Sequence, residues 1–420
     1  MAKRLLRTLK IITLSGLTLS FHANQIHAQE EMSNSSMNIE PDTTCFSKYY
    51  IHFFEIEARG GYIFPTNSFL KRENENHNYI RNTSSIHLKY AFKLRPGNCE
   101  ERIYNGAYQG IGIARYDFGN KEELGSPTAF YLFQGARIAQ LSSPLSVNYE
   151  WNFGISSGWH PYNFQYNHFN KIIGSEVNAY LNINFYLNWK LSHKLDLVSG
   201  ITFSHFSNGN TKFPNAGLNS SDLKIGLIYN FNRNQNTQNI PTYANPIPQF
   251  PRHISYDLTM FGAWRRKGVY LGDSQIASPN AYTVLGFNFA PMYNLGYKYR
   301  VGASLDGVYD GSANVYTEDY IEGTSPEFFN PKFNRQIALG ISARAEYVMP
   351  YFTVGAGIGT NMIHGRGDMK GTYQILALKI KMTRDTYLHI GYNLKDCKTP
   401  NYLMLGVGYR FNNKYPLLHR

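Results

Sequence analysis

Residues Val177–Trp189 read VNAYLNINFYLNW, and the alternation within them decides the fold. Successive side chains of a β-strand point to opposite faces. Val177, Ala179, Leu181, Ile183, Phe185, Leu187 and Trp189 share one face, all of it apolar. Asn178, Tyr180, Asn182, Asn184, Tyr186 and Asn188 share the other, all of it hydrogen-bonding. Strands of soluble sandwiches are shorter than this, about 5–6 residues. A membrane-spanning strand needs about 9–11. The pattern predicts a transmembrane β-barrel with an apolar outer wall and a polar lumen.

Working outward, similar runs fall at about 51–63, 83–93, 106–117, 127–141, 145–158, 176–189, 194–206 and 221–231. The connections after even-numbered runs include tight turns near Ser142–Pro144 and Ser192–His193. Those after odd-numbered runs are long: 64–82, 118–126, 159–175 and 207–220. Short periplasmic turns and long external loops are the outer-membrane pattern. After a polar, proline-rich stretch (NRNQNTQNIPTYANPIPQFPR, 232–252) the pattern resumes at about 254–265, 280–291, 294–309, 334–348, 350–362, 372–383, 386–395 and 401–411. Leu223, Ile225, Leu227, Tyr229 and Phe231 match Leu403, Leu405, Val407, Tyr409 and Phe411, and Gly226 matches Gly406. An ending seen twice predicts an all-β chain of two tandem eight-stranded antiparallel barrels, with one barrel of about sixteen strands as the alternative. The expected layout is a signal peptide (1–28), a disordered lead-in (29–50), a first barrel (51–232), a linker (233–253), a second barrel (254–412) and a tail (413–420).

Composition agrees. Of 420 residues 15% are aromatic and only 17% charged, unlike a disordered chain. The basic start (Lys3, Arg4, Arg7, Lys10) and the apolar run Ile11–Phe21 read as an export signal. The formal charge of +12 suits an anionic lipid surface but also a plain soluble face. Three cysteines, Cys45, Cys99 and Cys397, leave at least one unpaired. Cys45 and Cys99 both fall on the expected periplasmic side, and we expect them to pair. No HExxH or paired-cysteine spacing is present, so no metal is expected. Trp151, Trp159, Trp189 and Trp264 fit interfacial girdles rather than a nucleic-acid platform.

The chemistry concentrates in Leu195–Phe231, LDLVSGITFSHFSNGNTKFPNAGLNSSDLKIGLIYNF. Its first strand carries Leu197, Ser199, Ile201, Phe203, His205 and Ser207 on one face, so the histidine and serine extend a lipid-facing wall. A lone histidine at a strand rim is most often an ordinary polar residue. Here a serine sits two positions on, about 6.6–7 Å along the strand, within imidazole reach. Asn208 and Gly209 follow with amide donors suited to an acyl oxyanion.

His205-x-Ser207-Asn208, followed by Pro214-Asn215-x-Gly217, resembles the lipid A 3-O-deacylase family of outer-membrane barrels, also described as acyloxyacyl hydrolase-like. The resemblance covers roughly residues 50–232. It implies an eight-stranded barrel that removes an ester-linked acyl chain from lipid A at its lipid-facing wall. It also implies His205 as general base, Ser207 as nucleophile, Asn208 (with Gly209) as oxyanion support and Asn215 as a loop-shaping residue. The family's acidic residue falls at Asn219. An amide can hold an imidazole tautomer but does not stabilise imidazolium as a carboxylate does. Asp222 is the alternative acid, although alternation points it inward. The second half shows Asn393-Leu394-Lys395-Asp396 at the matching hairpin and is expected to be non-catalytic, with Lys379 and Lys381 as interior charges balanced by acidic partners. The expected function is an outer-membrane esterase acting on lipopolysaccharide, with no cofactor and no nucleic-acid partner; oligomeric state and acyl position stay open. The competing reading is a non-enzymatic barrel, a porin, adhesin or scaffold, that retains a degenerate motif.

Overall fold

A computed structural model describes residues 50–231, 233, 246–271, 274–318, 327–396 and 399–416. The expected leader and lead-in, most of the linker, Cys45 and Cys397 lie outside the described residues. Cys99 is disulfide-bonded, and the expected pairing with Cys45 falls outside them.

Eight antiparallel strands close the first barrel: β1 (Tyr50–Ile63), β2 (Asn82–Leu94), β3 (Tyr108–Asp117), β4 (Gly125–Gln140), β5 (Leu145–Trp159), β6 (Val177–Lys190), β7 (Leu195–Ser207) and β8 (Leu218–Asn230), with β8 returning to β1. A short helix, α1 (Cys99–Ile103), fills the β2–β3 turn. In the second half, β9 is His253–Arg265. A small hairpin, β10 (Gly268–Leu271) with β11 (Ser274–Ala277), follows it. Then come β12 (Tyr282–Asn294) and β13 (Tyr299–Asp310). A second small pair, β14 (Tyr316–Thr317) and β15 (Phe328–Phe329), precedes β16 (Ile337–Val348), β17 (Phe352–His364), β18 (Thr372–Lys381), β19 (Thr386–Lys395) and β20 (Thr399–Phe411). β9, β12, β13 and β16 to β20 form the second closed barrel, and the sixteen-stranded alternative is excluded. The two small hairpins, which the sequence pattern does not reveal, stand outside the barrel walls.

Alternation sorts each strand as the polar–apolar pattern requires. On β1, Glu55, Glu57 and Arg59 are buried, whereas Phe54 and Ile56 are 52% and 55% exposed. Leu181, Ile183, Phe185, Leu187 and Trp189 of β6 are likewise exposed. An apolar belt this continuous belongs against lipid.

Eight strands leave a lumen that side chains can fill, and here they do. Lys89 Nζ lies 2.9 Å from Glu55, 3.2 Å from Glu57 and 3.0 Å from Glu150. Lys224 Nζ lies 2.7 Å from Glu57, and Arg59 pairs with the same carboxylate. Buried charges persist only when paired; removing one partner costs roughly 3–5 kcal/mol. In the second barrel Asp257 meets Lys379 at 2.7 Å and Arg410 at 2.8 Å, and Glu346 meets Lys379 at 2.6 Å. Lys379 is thus the expected balanced interior charge. Lys381, by contrast, is not interior: it lies exposed at the end of β18. Gly355, Gly357 and Gly359 sit inside β17 and form part of the wall.

The barrels stand side by side with matching ends together. At the short-turn end Tyr104 Oη donates to the Tyr297 carbonyl at 3.3 Å, and the Tyr50 and Tyr351 hydroxyls are 3.5 Å apart. Between the walls the Trp151 ring meets the Phe352 ring edge-on at 5.0 Å. At the long-loop end the Arg266 amide donates to the Thr211 carbonyl at 3.1 Å.

Candidate active site

Phe206 fixes the site. Its side chain is fully buried in the first barrel, with ring centroids 5.0 Å from Tyr116, 5.1 Å from Trp159 and 5.2 Å from Tyr180. Burying such a ring contributes about 1.5–3 kcal/mol. With residue 206 pinned inside, strand alternation turns His205 and Ser207 to the outer face. β8 begins at Leu218, earlier than the pattern suggests, so Asn219 is a strand residue and pairs directly with His205. The connecting loop shrinks to 208–217.

Three outward side chains form a relay. Ser207 Oγ lies 2.9 Å from His205 Nε2, and His205 Nδ1 lies 2.7 Å from Asn219 Oδ1. An amide oxygen only accepts, so Nδ1 carries the proton and Nε2 is left to accept from the serine hydroxyl. The arrangement can take a proton from Ser207 and return it elsewhere. Asn219 therefore occupies the position of an orienting acid. Asp222 does not: it is 2% exposed, faces the lumen and accepts from Ser220 Oγ at 3.0 Å. The alternative acid is withdrawn, because alternation on β8 puts residues 219 and 222 on opposite faces.

Asn208 also departs from its expected part. Its backbone amide donates to Asn215 Oδ1 at 2.9 Å and its Nδ2 to the Lys212 carbonyl at 2.7 Å. Its backbone N–H and one of its two Nδ2 hydrogens are spent on shaping the loop. Gly209 is buried, and its N–H has no hydrogen-bond acceptor among the described residues. Asn215, with Oδ1 taken by Asn208, keeps its Nδ2 without an acceptor among the described residues. Gly209 and Asn215, both in the loop that follows Ser207, thus keep N–H donors without an acceptor among the described residues.

Two supports were not singled out by the sequence. Gly217 adopts φ +73°, and a Cβ there would stand 3.1 Å from His205 Cε1 and 3.6 Å from Ser207 Cβ. Only glycine gives this backbone and this clearance; its place in Pro-Asn-x-Gly was the available signal. The Gly217 amide donates to the Ile172 carbonyl at 3.1 Å, and Ile172 is fully buried. The β5–β6 loop thereby props the β7–β8 loop, a contact no local pattern announces. Below the site Leu181, Phe203 and Leu223 are exposed by 42%, 41% and 70%. Among the described residues no three His, Cys, Asp or Glu side chains gather as a metal site.

Residues 84–228 match the family described as "Lipid A 3-O-deacylase (PagL)", and residues 254–413 match "Acyloxyacyl hydrolase, C-terminal domain". The chain is similar to the lipid A 3-O-deacylase family over most of its first barrel and to the acyloxyacyl hydrolase C-terminal domain over its second. Each barrel thus carries its own family match, and the relay lies in the deacylase one. Among solved structures, the outer membrane enzyme PagL has 12% identity and a TM-score of 0.27, over 41% of this chain and 97% of that one. Neisserial surface protein A has 10% identity and a TM-score of 0.27, over 43% and 96%. The FrpB iron transporter from Neisseria meningitidis has 10% identity and a TM-score of 0.23, over 86% and 69%. Among curated protein sequences, none matches.

Proposed function

We propose that this chain is an outer-membrane esterase that removes an ester-linked acyl chain from lipid A. The observation that carries the reading is the Ser207–His205–Asn219 hydrogen-bonded series on the outer face, directly above an apolar wall. Lipid A reaches such a site by lateral diffusion, its acyl chains along Leu181 and Leu223. Lys171 and Lys212, exposed on the two loops that frame the site, meet its phosphates.

Ser207 Oγ attacks the acyl carbonyl carbon while its proton passes to His205 Nε2. The carbonyl oxygen takes the negative charge and is met by the Gly209 N–H and Asn215 Nδ2. Collapse breaks the bond to the sugar oxygen, which leaves with the proton from His205. Water, deprotonated by His205, then attacks the acyl-serine, and the fatty acid is released as Ser207 regains its proton. Asn219 holds the tautomer throughout but offers imidazolium no charge, so turnover is slower than with a carboxylate there. The second barrel has no outward histidine–serine pair at its matching hairpin and takes no chemical part.

Asn219 is also what favours the second reading, a barrel that keeps a degenerate motif without activity. Its porin version has against it the packed lumen of the first barrel. Purified full-length protein mixed with lipid A in detergent micelles separates the readings: fatty acid release by the wild type and none by Ser207→Ala is expected, and no release by either favours the inactive barrel.

A further inference from the structure

The chain just past the nucleophile rests on the other barrel. Gly209 has φ +62° and Asn210 φ +65°, two consecutive left-handed residues of the types that adopt that conformation readily. From within, the turn is closed by Thr211, whose Oγ1 donates to the Asn208 carbonyl at 2.9 Å. From outside, it is held at three points. A Cβ on Gly209 would meet Leu403 Cγ at 2.6 Å, so the glycine backbone lies flat against that side chain. Asn210 Nδ2 donates to the Asn401 carbonyl at 3.0 Å. The Arg266 amide donates to the Thr211 carbonyl at 3.1 Å. Leu403 and Asn401 belong to β20, and Arg266 directly follows β9; these strands are neighbours at the long-loop rim of the second barrel.

We propose that the second barrel is a positioning element of the hydrolytic site. Leu403, the Asn401 carbonyl and the Arg266 amide hold Gly209, Asn210 and Thr211. They thereby fix Ser207 and the Gly209 N–H against the acyl carbonyl. This rests on the esterase reading and gives the second domain a task within it. The docking contacts fall on the loop tip, while Leu181 and Leu223 below remain open to lipid; the second barrel backs the site without closing its entrance. A displacement of about 1 Å in a nucleophile or oxyanion donor costs up to roughly a hundredfold in rate, which is the size of effect such a contact can govern.

The test uses the full chain in detergent micelles with Leu403→Ala, Leu403→Met, Asn210→Asp and, as a control on the same outer face of β20, Val407→Ala. Three quantities are read per folded molecule, with folding scored by heat-modifiable electrophoretic mobility: kcat and KM for fatty acid release from lipid A, and the rate at which a fluorophosphonate labels Ser207. Leu403→Ala and Asn210→Asp should lower kcat and labelling together by about ten- to a hundredfold, with KM within about twofold of the wild type. Leu403→Met, similar in volume, should restore most of the rate, and Val407→Ala should match the wild type. Leu403→Ala and Asn210→Asp equal to the wild type in both rates would overturn the proposal while leaving the esterase reading intact. A wild type that neither hydrolyses lipid A nor labels would overturn both.

Discussion

The two barrels share strand number, closure and a closing strand of nearly the same pattern, yet the histidines of their corresponding strands fall on opposite faces and at different heights of the wall. In the first, Phe206 enters the lumen, so His205 and Ser207 face out, 2.9 Å apart. In the second, the matching strand turns His389 and Asn393 inward, 2% and 3% exposed. Asn393 Oδ1 accepts from Asn401 Nδ2 at 3.0 Å, and both nitrogens of His389 lack a hydrogen-bond partner among the described residues. The two strands keep the same phase: His389 pairs with Gly406 as Val198 pairs with Gly226, so His389 lies mid-strand on the lumen face where the first barrel has a valine, whereas the outward relay sits at the rim. Residue type alone does not make the site; the face on which the strand presents it does.

That contrast can be broken at its strongest point first. His205→Ala should lower fatty acid release about a thousandfold or more, since the members of such a relay act as a unit; steady-state hydrolysis of lipid A is the measurement, and a loss under tenfold would contradict the relay. Next, Gly217→Val adds a side chain against His205 Cε1 at a left-handed backbone. We expect a fall of about ten- to a hundredfold in kcat, with the barrel still folded by electrophoretic mobility. In the opposite direction, Asn219→Asp replaces a neutral acceptor by a charged one, worth about 1 kcal/mol more to an imidazolium. That converts to a rise of roughly five- to tenfold in kcat, read in the same assay. The smallest effect belongs to the second barrel. His389→Leu removes two unsatisfied buried nitrogens and should leave hydrolysis unchanged, with the urea midpoint the same or higher.

Much of this was legible in the sequence because membrane strands are long and strictly alternating. Val177–Trp189 fixed the faces of β6 without help from any other residue, and the repeat of Leu223–Phe231 in Leu403–Phe411 gave two closures instead of one. The His205–Ser207 pairing followed from the same rule. What escaped has physical reasons. Leu218–Asp222 (LNSSD) carries little apolar alternation, so the start of β8 read as loop and Asn219 as a loop residue. β14 and β15 are two residues each, too short for a period to register. Asn208 looked like an oxyanion donor because sequence does not say where a donor is already spent; Asn215, seven residues on, takes its amide. The contact of Gly209 with Leu403 joins residues almost two hundred positions apart and leaves no local trace.

The most direct test of the central claim is made in the membrane itself. The wild type and Ser207→Ala are expressed in a bacterium with intact lipid A, and its acyl chains are compared by mass spectrometry with an empty-vector control. Lipid A short of one ester-linked acyl chain with the wild type, and unchanged with Ser207→Ala, is the expected result. The same shortened lipid A in both would contradict Ser207 as nucleophile, and unchanged lipid A in both would contradict the esterase.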